Sequence, residues 1–244
     1  MSETAFSIEK RNSRSPGLQK SRSLLEILIA FLPIMIFGVI GTRIGTSTFL
    51  GGMIVTLGYI SSILIATVIL KIRGSGWQQI GMSPPKSWKR TFLFGVGALI
   101  AMFIMTIALE IIARNLPGTD VPPIDQSRFT LLIGNLTIFL LFVGLAWTTI
   151  AFGEEMFYRA FMITQLENVL PESKLGTMLV LLVSSTIFGL VHWVEGPLGV
   201  INTFAMGLIL GAVYIRSNRN LWITIIAHGL ANSIRFLFLF LGAA

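Results

Sequence analysis

Cysteine is absent from this 244-residue chain, and histidine occurs only twice. The first absence excludes disulfides and thiolate metal sites, and leaves the redox compartment unmarked by this residue. Charge is scarce as well: 12% of the residues are charged, against about 25% in an ordinary soluble domain. Apolar residues stand in their place, at 54% of the chain, with a mean hydropathy of +0.81. A water-soluble fold has no use for so much apolar surface. No fixed-period repeat and no shift of composition divides the chain, so a single helical domain is the economical reading.

Residues 1–23 are polar and rich in Ser, Arg and Lys, and carry too little apolar surface to offset the entropy of ordering them; a mobile tail is expected there. From Leu24 onward the chain reads as one transmembrane domain, 24–244. The first apolar run is too long, and lacks the small-residue cleavage site, to be a secretory signal. Spanning a hydrocarbon core takes roughly 20 apolar residues in a helix. Such runs lie near 24–42, 49–70, 91–113, 129–152, 177–193, 198–215 and 221–241, the fifth and sixth separated by the breaker Glu195-Gly196-Pro197. The expectation is an all-α polytopic bundle of about seven spans, within a range of six to eight.

The net charge of +7 invites a nucleic-acid reading, but its distribution argues against one. The basic residues cluster in the tail (Lys10, Arg11, Arg14, Lys20, Arg22), in the 71–90 loop (Lys71, Arg73, Lys86, Lys89, Arg90) and in later loops on the same side (Arg159, Lys174, Arg216, Arg219). The other side has Arg43, Arg114 and Arg128, and Arg235 lies within the last run. This asymmetry predicts a cytoplasmic N-terminus in a plasma membrane, with lipid as the first partner and no nucleic acid. Trp77, Trp88 and Trp222 at the ends of apolar runs suit the headgroup region, or else ordinary packing. The loop 114–128, broken by Pro and Gly, shows no chemistry of its own.

An ionisable side chain at bilayer depth costs about 2.5–3.5 kcal/mol on insertion scales, so each one is a functional candidate. Both histidines, His192 and His228, stand inside apolar runs. Glu154 and Glu155 are adjacent at the end of another, and Arg159 follows Glu155 by four, the favourable order for an ion pair on a helix. Glu154 is then left without a local partner, as a general base requires, and Glu155 becomes support. His228 and Asn232, also four apart, share one helix face and can donate together to a developing oxyanion. Phe188 lies one turn before His192 as packing. A chain reversal near Ser173 puts Glu154 and His192 at equal height, while His228 falls roughly 15 Å lower by helix rise, a gap the sequence does not close.

These residues form three motifs in order: EEMFYR at 154–159, FGLVH at 188–192 and HGLAN at 228–232. In them the chain resembles the CAAX prenyl protease and bacteriocin-processing family, also known as the abortive-infection family, over 129–241. The resemblance implies an intramembrane endopeptidase acting on membrane-associated, prenylated or precursor peptides. It implies that Glu154 and His192 activate water, that His228 and Asn232 hold the oxyanion, and that Glu155, Arg159 and Phe188 brace the site. Tyr158 and Ala160 flank the arginine where phenylalanine and glycine are common. The short chain looks more like a prokaryotic member.

Two choices stay open at this level. Glu154, His192 and His228 could supply three ligands to zinc, but the helical motif of two histidines four apart around a glutamate is absent, and a metal-free, glutamate-activated water is favoured. Intramembrane Glu and His also suit a proton-coupled transporter, although the repeats of such folds are not seen, and a peptide-binding or immunity scaffold would keep the same fold without cleavage. Glu26, Glu110, Arg43 and Arg235 match no motif and are expected to pair or to snorkel.

Overall fold

The computed structural model describes residues 16–45, 49–117 and 120–242. Seven long helices carry the described chain: α1 (Pro16–Ile44), α2 (Phe49–Ile72), α3 (Trp88–Arg114), α4 (Leu136–Glu167), α5 (Lys174–Leu190), α6 (Gly196–Arg216) and α7 (Leu221–Phe240). All but α5 are long and apolar enough to cross a membrane. With 17 residues, α5 rises about 25 Å, short of a hydrocarbon core of about 30 Å. Six spans and one shorter helix result, within the six to eight expected from about seven runs. The chain is an integral membrane protein.

Helix starts follow local polar chemistry. Asn135, Ser87, Ser173 and Asn220 each accept a backbone N–H of the first turn that follows, supplying a partner that lipid cannot. The first helix starts at Pro16, before the apolar run at Leu24, because Arg22 pairs with Glu26 one turn on at 2.8 Å and Ser23 accepts from Arg73 of the α2 end. Only 1–15 of the expected tail then remain, and they lie outside the described residues.

The bundle is organised around α4. Helices α1 and α2 form one antiparallel hairpin and α5 and α6 another, α3 packs on α6 and α7, and α4 packs against α1, α2, α5, α6 and α7. Accordingly the stretch 155–163 is buried without a break, whereas the outer helices turn large apolar side chains such as Leu28, Ile72 and Ile104 outward, as lipid-facing surfaces do. Small residues permit the close approaches. A Cβ on Gly207 would lie 3.0 Å from Ser185, and one on Gly229 would lie 2.9 Å from the Trp147 ring.

The fourth helix is not the uniform span ending near 152 that its apolar run suggests. It continues to Glu167 and is interrupted by two π-helical stretches, Ala146–Ile150 and Glu155–Met162. A π turn displaces backbone carbonyls from their usual partners, and one is recovered by tertiary contact: Ser184 of α5 donates to the Tyr158 carbonyl at 3.1 Å. The EEMFYR motif lies at this second π stretch, where side chains are re-aimed toward α2, α5 and α7.

Candidate active site

Glu155 is the hub of the buried cluster. It is fully buried, and its Oε1 lies 3.0 Å from Arg159 in an ion pair and accepts from His228 Nδ1 at 2.9 Å. The ion pair expected from four-residue spacing thus forms, even though the turn between the two residues is π-helical. The sequence reading did not join Glu155 to His228, 73 positions away on α7. A carboxylate on Nδ1 accepts its proton and fixes the orientation of the imidazole, leaving Nε2 to face outward. That Nε2 stands 3.8 Å from Glu154 Oε2, which has no hydrogen-bond partner in a residue only 4% exposed.

His192 is held differently. It follows the end of α5, and its Nδ1 lies 2.8 Å from the carbonyl of Phe188. A carbonyl can only accept, so Nδ1 carries the proton and Nε2 keeps a free lone pair in the neutral ring. The Phe188 ring separates the two imidazoles, edge-on to His192 at 5.1 Å and to His228 at 6.1 Å. Its face carries the Arg159 guanidinium at 4.2 Å. One aromatic ring thereby spaces both histidines and the buried cation, which is more than the packing role read from its spacing.

The ion pair of Arg219 with Glu167 at 2.7 Å holds the turn before α7 beside the end of α4. His228 then meets Glu154 and Glu155, contacts that the helix-rise arithmetic did not foresee.

Asn232, on the same face of α7 as His228, lines a cavity of about 360 Å³ between α3, α6 and α7. Met102, Phe103, Met206 and Phe238 give the cavity apolar walls, and Glu195 and Arg235 a polar end. Of the predicted site residues only Asn232 is in its lining; Glu154, Glu155, His192 and His228 are not.

Several residues enter the site that the motifs did not announce. Tyr59 of α2 is buried and brings its hydroxyl within interaction range of both Glu154 and Tyr158. Glu195, read from sequence only as part of a breaker, is 2% exposed, lies in electrostatic reach of His192, and pairs with Arg128 and, at 3.3 Å, with Arg235. Arg235 is therefore a partner rather than a snorkelling chain. The 114–128 loop also has a function: the Asp125 N–H donates to the Glu195 carbonyl at 3.0 Å and Gln126 accepts from Arg235 at 3.2 Å. The Ser127 N–H in turn donates to the Asp125 carboxylate and holds it below its usual range. An acidic residue between two apolar runs, with a lone arginine inside the last run, was the available signal; Tyr59, one of three tyrosines, offered none.

With Nδ1 of His228 on Glu155 and Nδ1 of His192 on a carbonyl, the two Nε2 atoms and Glu154 are what remain to turn to an ion. Among the described residues no group of three His, Asp or Glu side chains stands close enough to hold one.

Residues 135–234 match the family model for type II CAAX prenyl endopeptidases, described as Rce1-like. The match contains all three motifs. No curated protein and no solved structure matches the chain.

Proposed function

We infer that this membrane protein, whose residues 135–234 form an Rce1-like type II CAAX prenyl endopeptidase segment, hydrolyses a peptide bond of a membrane-associated substrate within the bundle. The observation that carries the reading is the His228 imidazole seated between the two buried carboxylates, 3.8 Å from Glu154 and 2.9 Å from Glu155. Burial of two acids and a histidine in an apolar bundle costs far more than a packing role requires, unless an activity retains them.

In this reading a water lies between Glu154 and His192. Glu154 takes its proton while the free Nε2 of His192 accepts its second hydrogen and aims the lone pair at the scissile carbonyl. As the tetrahedral intermediate forms, its oxyanion receives Nε2–H of His228 and the Asn232 amide. Glu155 stabilises the imidazolium that makes this donation possible, and Arg159 balances the charge of Glu155. Glu154 then passes its proton to the departing amine, which closes the cycle without a metal. The apolar cavity that Asn232 helps to line suits an extended peptide beside a lipid-like or prenyl chain, entering between α3, α6 and α7. The distribution of Lys and Arg supports a cytoplasmic N-terminus.

The test is cleavage of a fluorogenic prenylated peptide by purified protein in detergent. Glu154→Gln, His192→Ala and His228→Ala should each abolish turnover while the thermal transition is kept, and chelators should leave wild-type turnover unchanged. Unchanged turnover in one variant removes that residue from the mechanism. A Glu154→Gln protein that retains the cellular phenotype but not cleavage would favour the scaffold.

A further inference from the structure

A second cavity, of about 760 Å³, lies at the opposite end of α7. It is enclosed by the ends of α3, α6 and α7 and by the 78–87 connection. Its charged lining is Lys86, Arg90, Arg216 and Arg219, with no aspartate or glutamate. Glu167 neutralises Arg219, but Lys86, Arg90 and Arg216 are exposed and have no carboxylate within ion-pair distance among the described residues. The N-termini of α3 and α7, two long helices capped by Ser87 and Asn220, contribute their positive ends to the same space.

The wall is built rather than incidental. Tyr214 donates to the Ile80 carbonyl at 2.8 Å, and Gly81, at φ +112°, approaches so closely that a Cβ would lie 2.3 Å from the Arg219 carbonyl oxygen. Asn218 and Arg219 adopt left-handed backbone to end α6, and the Arg219 N–H returns to the Tyr214 carbonyl at 2.9 Å.

The depth of the cavity identifies what it holds. It stands where three spans meet the interface, beside the Trp88–Trp222 ring contact at 5.4 Å. One turn into α3 from Arg90, Phe94 continues the lining and is widely exposed on the lipid side. A basic rim that grades into an apolar wall recognises an amphiphile with a phosphate head. We propose that this cavity is a binding site for the phosphate headgroup of an anionic membrane lipid. It shares no lining residue with the catalytic cluster and does not depend on the proteolytic reading.

The experiment is native mass spectrometry and thermal unfolding of the full chain in neutral detergent, with phosphatidylglycerol, phosphatidylcholine or inorganic phosphate added. The Lys86→Gln/Arg90→Gln/Arg216→Gln protein should bind phosphatidylglycerol at least about tenfold more weakly than the wild type. Lys20→Gln/Lys71→Gln/Lys174→Gln, which removes equal charge on the same face but outside the cavity, should leave binding unchanged. If the triple variant does not fold, Arg216→Gln alone should still weaken binding roughly fivefold. Equal losses in the cavity and control variants would mean diffuse surface attraction, and would overturn the site. Inorganic phosphate stabilising the wild type as strongly as the lipid would assign the cavity to a soluble anion and overturn the lipid.

Discussion

Two clusters of buried charge lie along α4, and they are finished to different degrees. Near its end, Glu26 of α1 has each oxygen engaged: Oε1 with Arg22 at 2.8 Å, Oε2 with Arg73 at 2.6 Å and with the Gln165 amide at 3.1 Å. In the middle, Glu155 Oε1 takes both Arg159 and His228 while Oε2 of Glu155 and Oε2 of Glu154 have no hydrogen-bond partner. The first cluster ties α1, α2 and α4 together, and both acceptors of its acid are met. The second retains unmet acceptors at a cost of about 1–3 kcal/mol each, which a water or a substrate would relieve. A buried ion pair of itself therefore says little about function; unspent hydrogen-bonding capacity is the better sign.

The comparison can be broken by substitution. The largest effect should come from Glu154→Gln, which keeps shape and burial but removes the base: cleavage falls about 10²–10⁴-fold with an unchanged melting temperature. Asn232→Ala should lower kcat about 10²–10³-fold with little change in KM, as expected for a donor used only in the transition state. Arg159→Met leaves Glu155 buried without its cation, and should destabilise the fold by about 3–5 kcal/mol, measured by thermal unfolding in detergent. Glu26→Gln should cost less, about 1–3 kcal/mol, and leave turnover per folded molecule intact. If Glu26→Gln instead impaired cleavage as much as Glu154→Gln, the distinction between the clusters would be lost. Tyr59→Phe should give the smallest change, about tenfold or less in kcat, by removing one hydroxyl near Glu154.

The candidate site was legible where chemistry is written locally. Glu155 with Arg159 and His228 with Asn232 are each within one turn, and Phe188 with His192 likewise, so spacing alone put these pairs on common faces. What spacing cannot convey is contact between helices. The bond from His228 to Glu155, the approach of Tyr59 to Glu154, and the grouping of Arg128, Glu195 and Arg235 all join residues distant in sequence. The π turns of α4 were equally hidden, because an apolar run carries no mark of where its hydrogen bonds slip by one residue.

Taken alone, the order of residues determined that this chain must be helical and lodged in lipid, since runs of about 20 apolar residues can satisfy their backbone there in no other open form. It also determined which few polar side chains had to be accounted for. Tertiary packing decided which of them meet: the contact between α4 and α7, which periodicity does not encode, brings His228 between two glutamates.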